Sequence, residues 1–176
     1  MPRRFKLFNK SIAGLAWSFQ VNPDSCDNPA HYELYLRTSA VTDQMEGRGL
    51  TFIFAEEDDR EIKEILGFVT LRASSMIRQY GEQTRGDAAL EITELAVSKD
   101  HEREGIGTKM LEFAIVKAAE INENMASIRY VLVCADPKAV PFYEKYGFAF
   151  LHDYGDIPRE GWNDDCIPMF LQLPSP

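Results

Sequence analysis

"SKDHEREGIGTKMLEFAIVKAAE", from Ser98 to Glu120, is the stretch on which the fold turns. Two glycines, Gly105 and Gly107, separate a charged segment from a run in which Ile106, Met110, Leu111, Ala114, Ile115, Ala118 and Ile121 recur at helical spacing. Just before it, "ALEITELAVS" (89–98) alternates and ends apolar, the pattern of a central strand. A strand that feeds a glycine turn opening a helix is a natural anion site. The first helical turn leaves backbone N–H groups unpaired, and the helix dipole adds positive potential there. Glycine also lets the main chain approach a phosphate closely. The bland alternative is a plain corner between strand and helix.

Spacing removes two designs of this kind. A P-loop requires GxxxxGK[ST], and "GIGTK" lacks the first glycine. A dinucleotide fold requires GxGxxG, but the third position is Met110, and no acidic residue about 20 residues on ends a following strand.

Outward from the glycines, "IRYVLVCA" (128–135) reads as a buried strand, which with strand 89–98 and helix 106–122 makes a βαβ unit. "AVPFYEKYGF" (139–148) is a short helix ended by Gly147 as its C′ residue, and "CIPMFLQL" (166–173) is a closing strand. Upstream, 28–46 has helical spacing after an Asn-Pro start. The segments 49–57 and 64–74 are strands, joined by the charged turn "EEDDREIKE" as a hairpin. The polar "RQYGEQTRGDA" (78–88), with two glycines, reads as a loop. The order predicts an α/β (α+β) chain with a mixed sheet. Its 176 residues suit a single domain.

Composition excludes more than it identifies. With 19 basic and 28 acidic residues the formal charge is −9, which disfavours nucleic acid unless basic residues gather locally. Arg3, Arg4, Lys6 and Lys10, or Arg72, Arg78 and Arg85, are the available clusters. No apolar run reaches the roughly 18–20 residues of a membrane span, and the start lacks the features of a signal peptide, so a cytoplasmic location with no membrane partner is expected. Cys26, Cys134 and Cys166 form no CxxC pair, and His31, His101 and His152 show no ligand spacing. Neither a disulfide nor a metal site is expected, and Cys134 reads as a buried strand cysteine.

"ITELAVSKDHEREGIGTKMLEFA" resembles the acetyl-CoA-binding motif of the GNAT superfamily of N-acetyltransferases, whose loop runs [Q/R]-x-x-G-x-[G/A]. "AVPFYEKYGF" resembles that family's second hallmark, and the two occur in the right order across about 60 residues. One departure stands out: Glu102 occupies the Gln/Arg position, with Arg103 beside it. The resemblance implies a single GNAT-like domain over 1–176, with a mixed, mostly antiparallel twisted sheet flanked by helices and an acetyl-CoA-binding core at about 89–148. It implies acetyl-CoA as co-substrate, with the pyrophosphate held by Arg103, Glu104, Gly105, Ile106, Gly107 and Thr108. Main-chain groups of Leu95, Ala96 and Val97 would bind the pantetheine arm and polarise the carbonyl. Asp136 stands where relatives carry an asparagine that contacts the cofactor. Tyr143 matches the tyrosine that touches the cofactor and protonates its sulfur.

Acetyl transfer to an amine needs a neutral nucleophile. Deprotonating a lysine at neutral pH costs roughly 4–5 kcal/mol, an α-amine about 1. Glu91 falls where lysine-modifying members carry their base and Glu94 fits other branches. Alternation puts the two on opposite faces of the strand. The expected reaction is direct attack by a primary amine in a ternary complex, without a cysteine intermediate. The expected acceptor is a small-molecule or peptide amine, and family analogy allows a homodimer. Two alternatives remain. "SCDNPAHYELYLRTSA" resembles the opening of the GNAT toxins that acetylate aminoacyl-tRNA, which would bring in tRNA and an antitoxin. The other is a non-catalytic acyl-CoA sensor, which Glu102 would favour.

Overall fold

Seven strands hydrogen-bond in the order β1-β2-β3-β4-β5-β7-β6 in the computed structural model, which describes residues 1–151 and 166–175. His152 lies outside them. The strands are β1 (Arg3–Leu7), β2 (Leu50–Asp58), β3 (Glu61–Tyr80), β4 (Gln83–Val97), β5 (Tyr130–Ala135), β6 (Ala149–Phe150) and β7 (Ile167–Gln172). The helices are α1 (Pro29–Leu34), α2 (Ala40–Met45), α3 (Ile106–Asn124) and α4 (Val140–Lys145). β4 and β5 pair in parallel from Ala89↔Tyr130 to Ile92↔Val133, as a βαβ unit through α3 requires, while β1–β2, β2–β3, β5–β7 and β6–β7 are antiparallel. The mixed, mostly antiparallel sheet expected from the sequence is therefore present. Among the described residues no helix is long and apolar enough to cross a membrane.

By packing, the chain divides into two compact units, residues 1–72 with 93–114 and residues 73–92 with 115–176. In the first unit one sheet face carries Ile53, Ala55, Phe68 and Ala96, which pack with Leu36 and Ala40 of the α1–α2 segment and with Phe8, Ala16 and Phe19. The other face meets the first half of α3, where Phe113 contacts Phe5 and Phe52 at 4.3 and 5.0 Å between ring centres. That contact is close at Gly67, where an added Cβ would lie 2.9 Å from the Met110 side chain and 3.0 Å from the Ala96 carbonyl. The Asn28 side chain caps α1 by accepting from the His31 N–H at 3.2 Å, with Pro29 at the first position. A π-helical turn, Tyr35–Ser39, runs on into α2. The β2–β3 turn is tight, with Asp59 and Arg60 both at positive φ and Asp58 opposite Glu61.

In the second unit Tyr130 is fully buried among Met76, Ala89, Leu151 and Phe170. Gly147, at φ 86°, donates to the Glu144 carbonyl and closes α4, as expected for a C′ glycine.

Three expectations need correction. Residues 78–88 are not a loop: β3 runs to Tyr80 and β4 starts at Gln83, with only a turn between. Side-chain bonds hold this polar ribbon together, from Thr84 to Gln79 at 2.9 Å and from Tyr80 to Asp87 at 3.2 Å, so it needs no apolar face. The edge strand β1 and the short β6 had no signal of their own. Finally, Cys134 is exposed and is bonded to Cys166, with Cα atoms 5.3 Å apart. Antiparallel pairing of Cys134 with Pro168 brings Cys166 alongside, a proximity that a separation of 32 residues hides.

Candidate active site

The glycine turn is built as an anion site would be. β4 ends at Val97, the 3-10 turn Lys99–His101 follows, and α3 begins at Ile106. Between them Arg103 and Gly105 take left-handed backbone angles, φ 66° and 74°. A Cβ on Gly105 would meet nothing within 4 Å, so glycine is there for its backbone angle and not for lack of room. Left-handed residues before a helix curl the chain so that successive N–H groups face one concavity. The first four N–H groups of α3, among them those of Ile106, Gly107 and Thr108, have no acceptor within the helix.

The acidic residues of the turn are already engaged. Glu102 accepts from the Asn22 side-chain amide at 2.8 Å. Glu104 accepts from Arg3 at 2.5 Å and pairs with His101 at 3.0 Å, and both interactions hold its carboxyl below the usual range. Arg3 also reaches Glu56 at 2.8 Å. Burial works against charge on His101, but its bonds to Glu104 and Glu64 outweigh that and raise its pKa. Arg103 is exposed and makes no ion pair among the described residues, so its charge is available to an anion. The residues present therefore fit a pyrophosphate, and the negative charge of Glu102 is turned to a neutral amide. Sequence reading missed Asn22 and Arg3, because their partners lie 80 and 101 positions away.

On β4, Ala96 is buried and packs toward α1–α2, with Leu95 and Val97 half-buried beside it. Glu94 shares the face of Ala96, and its carboxylate pairs with His31 Nε2 of α1 at 3.0 Å. That bond raises the His31 pKa, burial opposing it. His31 had no signal as a site residue, being one polar residue in a helical pattern. Glu91, three residues earlier on the unbroken strand, faces the other side and stands opposite Leu132 of β5. Alternation thus separates the two carboxylates as expected.

In the second unit Tyr143 is 5% exposed and packs edge-on against Phe142 and Phe148 at 5.2 and 5.4 Å. Asp136 spends one carboxylate oxygen on the Lys138 N–H at 2.9 Å, capping the turn Pro137–Ala139. The structure thus gathers 94–97 and 102–108 in the first unit, and places Asp136, Tyr143 and Glu91 in the second.

A family model described as an acetyltransferase (GNAT) domain matches residues 48–149. No curated protein matches the chain in sequence. Among solved structures, a mutant of the AtaT toxin bound to acetyl-CoA and the C-terminus of the antitoxin AtaR is similar. It has a TM-score of 0.72 and 16% identity, over 97% of this chain and 92% of that one. AtaT complexed with acetyl-methionyl-tRNA has a TM-score of 0.64 and 17% identity, over 95% of this chain and 94% of that one. A tyrosine-to-phenylalanine mutant of KacT has a TM-score of 0.68 and 13% identity, over 98% of this chain and 95% of that one. Acetyl-CoA, the co-substrate expected from the sequence, is thus bound in AtaT. The expected small-molecule or peptide acceptor, with nucleic acid disfavoured, is corrected by the same findings: a similar structure holds a tRNA and another an antitoxin. A net charge was a poor guide, because charge more than about 8 Å away is screened at physiological salt and local contacts decide.

Proposed function

The chain belongs to the GNAT acetyltransferase family, and from that premise we propose that it transfers the acetyl group of acetyl-CoA to the α-amine of an aminoacyl-tRNA. The observation that carries this reading is the likeness to AtaT holding acetyl-methionyl-tRNA, which extends over 95% of this chain. An aminoacyl α-amine also suits the site chemically. It titrates near 8 and needs little help to become neutral, unlike a lysine.

In this reading the backbone amides of 103–108 and the Arg103 side chain hold the pyrophosphate. Main-chain groups of Leu95 to Val97 bind the pantetheine arm and polarise the thioester carbonyl. The amine attacks that carbonyl directly, the C–N bond forms as the C–S bond breaks, and Tyr143 gives a proton to the departing thiolate. Asp136, engaged as a cap, contributes by shaping the start of α4. The protein would act as a toxin with an antitoxin partner, as AtaT has in AtaR.

The test is incubation of purified protein with labelled acetyl-CoA and a panel of aminoacyl-tRNAs, with free amines in parallel. Acetylated aminoacyl-tRNA, formed about 10²-fold or more slowly by Tyr143→Phe, is the expected result. Label appearing only on free amines, or on nothing, would sink the proposal.

A further inference from the structure

Glu94 and His31 form the one polar construction on the α1–α2 face that the family reading leaves without a task. Glu94 is 11% exposed at its side chain and His31 is 51% exposed. Both carboxylate oxygens lie close to the same ring nitrogen, Nε2, at 3.0 and 3.1 Å. A carboxylate can only accept, so Nε2 carries the proton in this pair. The proton-free nitrogen is then Nδ1, which has no hydrogen-bond partner among the described residues. The ring is fixed in place from below by the N-cap of α1 and from the side by Tyr32, edge-on at 5.3 Å. One turn on, Tyr35 stands over the buried pair Thr51–Thr70 (2.8 Å), with its hydroxyl held neutral by burial. A basic nitrogen oriented by a buried carboxylate and left open to solvent is the arrangement of a general base.

Resting on the acetyltransferase reading above, we propose that His31 Nδ1 is the base that deprotonates the acceptor ammonium, and that Glu94 is its positioning residue. The placement suits that task. Glu94 lies two residues before Ala96 on the same face, about 7 Å along the strand from the main chain expected to polarise the thioester. The protons balance: the ammonium gives its first proton to Nδ1, and the half-exposed ring passes it to water. The second proton, shed by nitrogen after attack, neutralises the thiolate. Glu94 stays ionised throughout and stabilises the imidazolium. Affinity also favours His31 over Glu94. A free carboxyl titrates about four units below an α-amine, whereas imidazole starts within about two, and the bond to Glu94 narrows that gap. Glu94 is the charged group that bears on the ring; Tyr35 beside it is neutral, and Asp43 of α2 acts on Tyr35.

The experiment is the pH dependence of kcat and kcat/KM for acetyl transfer to methionyl-tRNA, with acetyl-CoA affinity measured by calorimetry on each variant. His31→Gln should lower kcat about 10²-fold with acetyl-CoA affinity unchanged. Glu94→Gln should move the acidic limb of the profile to lower pH, because the imidazolium loses its partner. Added imidazole should restore part of the activity of His31→Ala. Wild-type kcat and an unmoved acidic limb in His31→Gln would overturn the assignment while leaving the acetyltransferase reading intact. Should His31→Gln lose acetyl-CoA binding as well, Glu94→Gln decides: a limb that stays put overturns the assignment. If the wild type transfers nothing to the tRNA, the acceptor reading fails and this role falls with it.

Discussion

Two glycine-bearing polar stretches look alike in sequence and do opposite things. "GEQTRGDA" after Tyr80 and "EREGIGTK" after His101 are both rich in charge, and in each a glycine takes a left-handed angle, 61° at Gly81 and 74° at Gly105. At Gly81 the chain reverses and β4 continues the ladder, so its amides pair across a hairpin. At Gly105 the chain enters α3 with its first amides unsatisfied. What differs is the residue pattern that follows, strand alternation after Gly81 and a 3.6-residue period after Gly105. A glycine sets where a chain bends; the next ten residues set what the bend can bind.

That contrast can be broken most severely by charge. Arg103→Glu should weaken acetyl-CoA binding about tenfold to a hundredfold by calorimetry, since it removes a charged donor from the turn. Arg85→Glu, near the hairpin tip, should leave the affinity alone, and equal losses in the two variants would erase the distinction. Next comes Gly67→Ala, which puts a methyl 2.9 Å from Met110 where α3 meets the sheet. It should cost about 1–3 kcal/mol in denaturant unfolding; an unchanged midpoint would mean that α3 can shift freely.

Smaller again is the effect of alanine at the two turns. Gly81→Ala and Gly105→Ala have open space around the new methyl, so each should cost only the left-handed backbone penalty, about 1–2 kcal/mol. Only Gly105→Ala should also weaken acetyl-CoA binding. The smallest effect is on pH. The pKa of His101 is raised by Glu104 and Glu64 against its burial, so its ion pairs stabilise fully below its unfolded value and fade as pH rises through the raised one. Melting temperature should fall between pH 6 and pH 8, and His101→Gln should flatten that part of the curve. A slope that survives the substitution would place the titrating group elsewhere.

The same contrast shows what could be read from sequence. Residues 89–148 were legible because local pattern and local function coincide there: alternation in β4, the period of α3, and Gly147 closing α4. The outer halves of β3 and β4 were not, because Thr84–Gln79 and Tyr80–Asp87 stabilise a ribbon whose composition says loop. Long-range pairs escaped altogether. Glu102 looked like a defect in an anion site until Asn22 was found holding it, and Glu94 looked like a lone base until His31 was found beside it. Cys134 and Cys166 escaped likewise, since strand register brings them together and spacing does not announce it.

The measurement that bears most directly on the account is calorimetric titration of acetyl-CoA into the wild type and into Gly107→Glu, which puts a carboxylate in the first turn of α3. The account predicts micromolar binding by the wild type and its loss in the variant. No binding by the wild type, or equal binding by both, would contradict it and leave the two glycines as a corner.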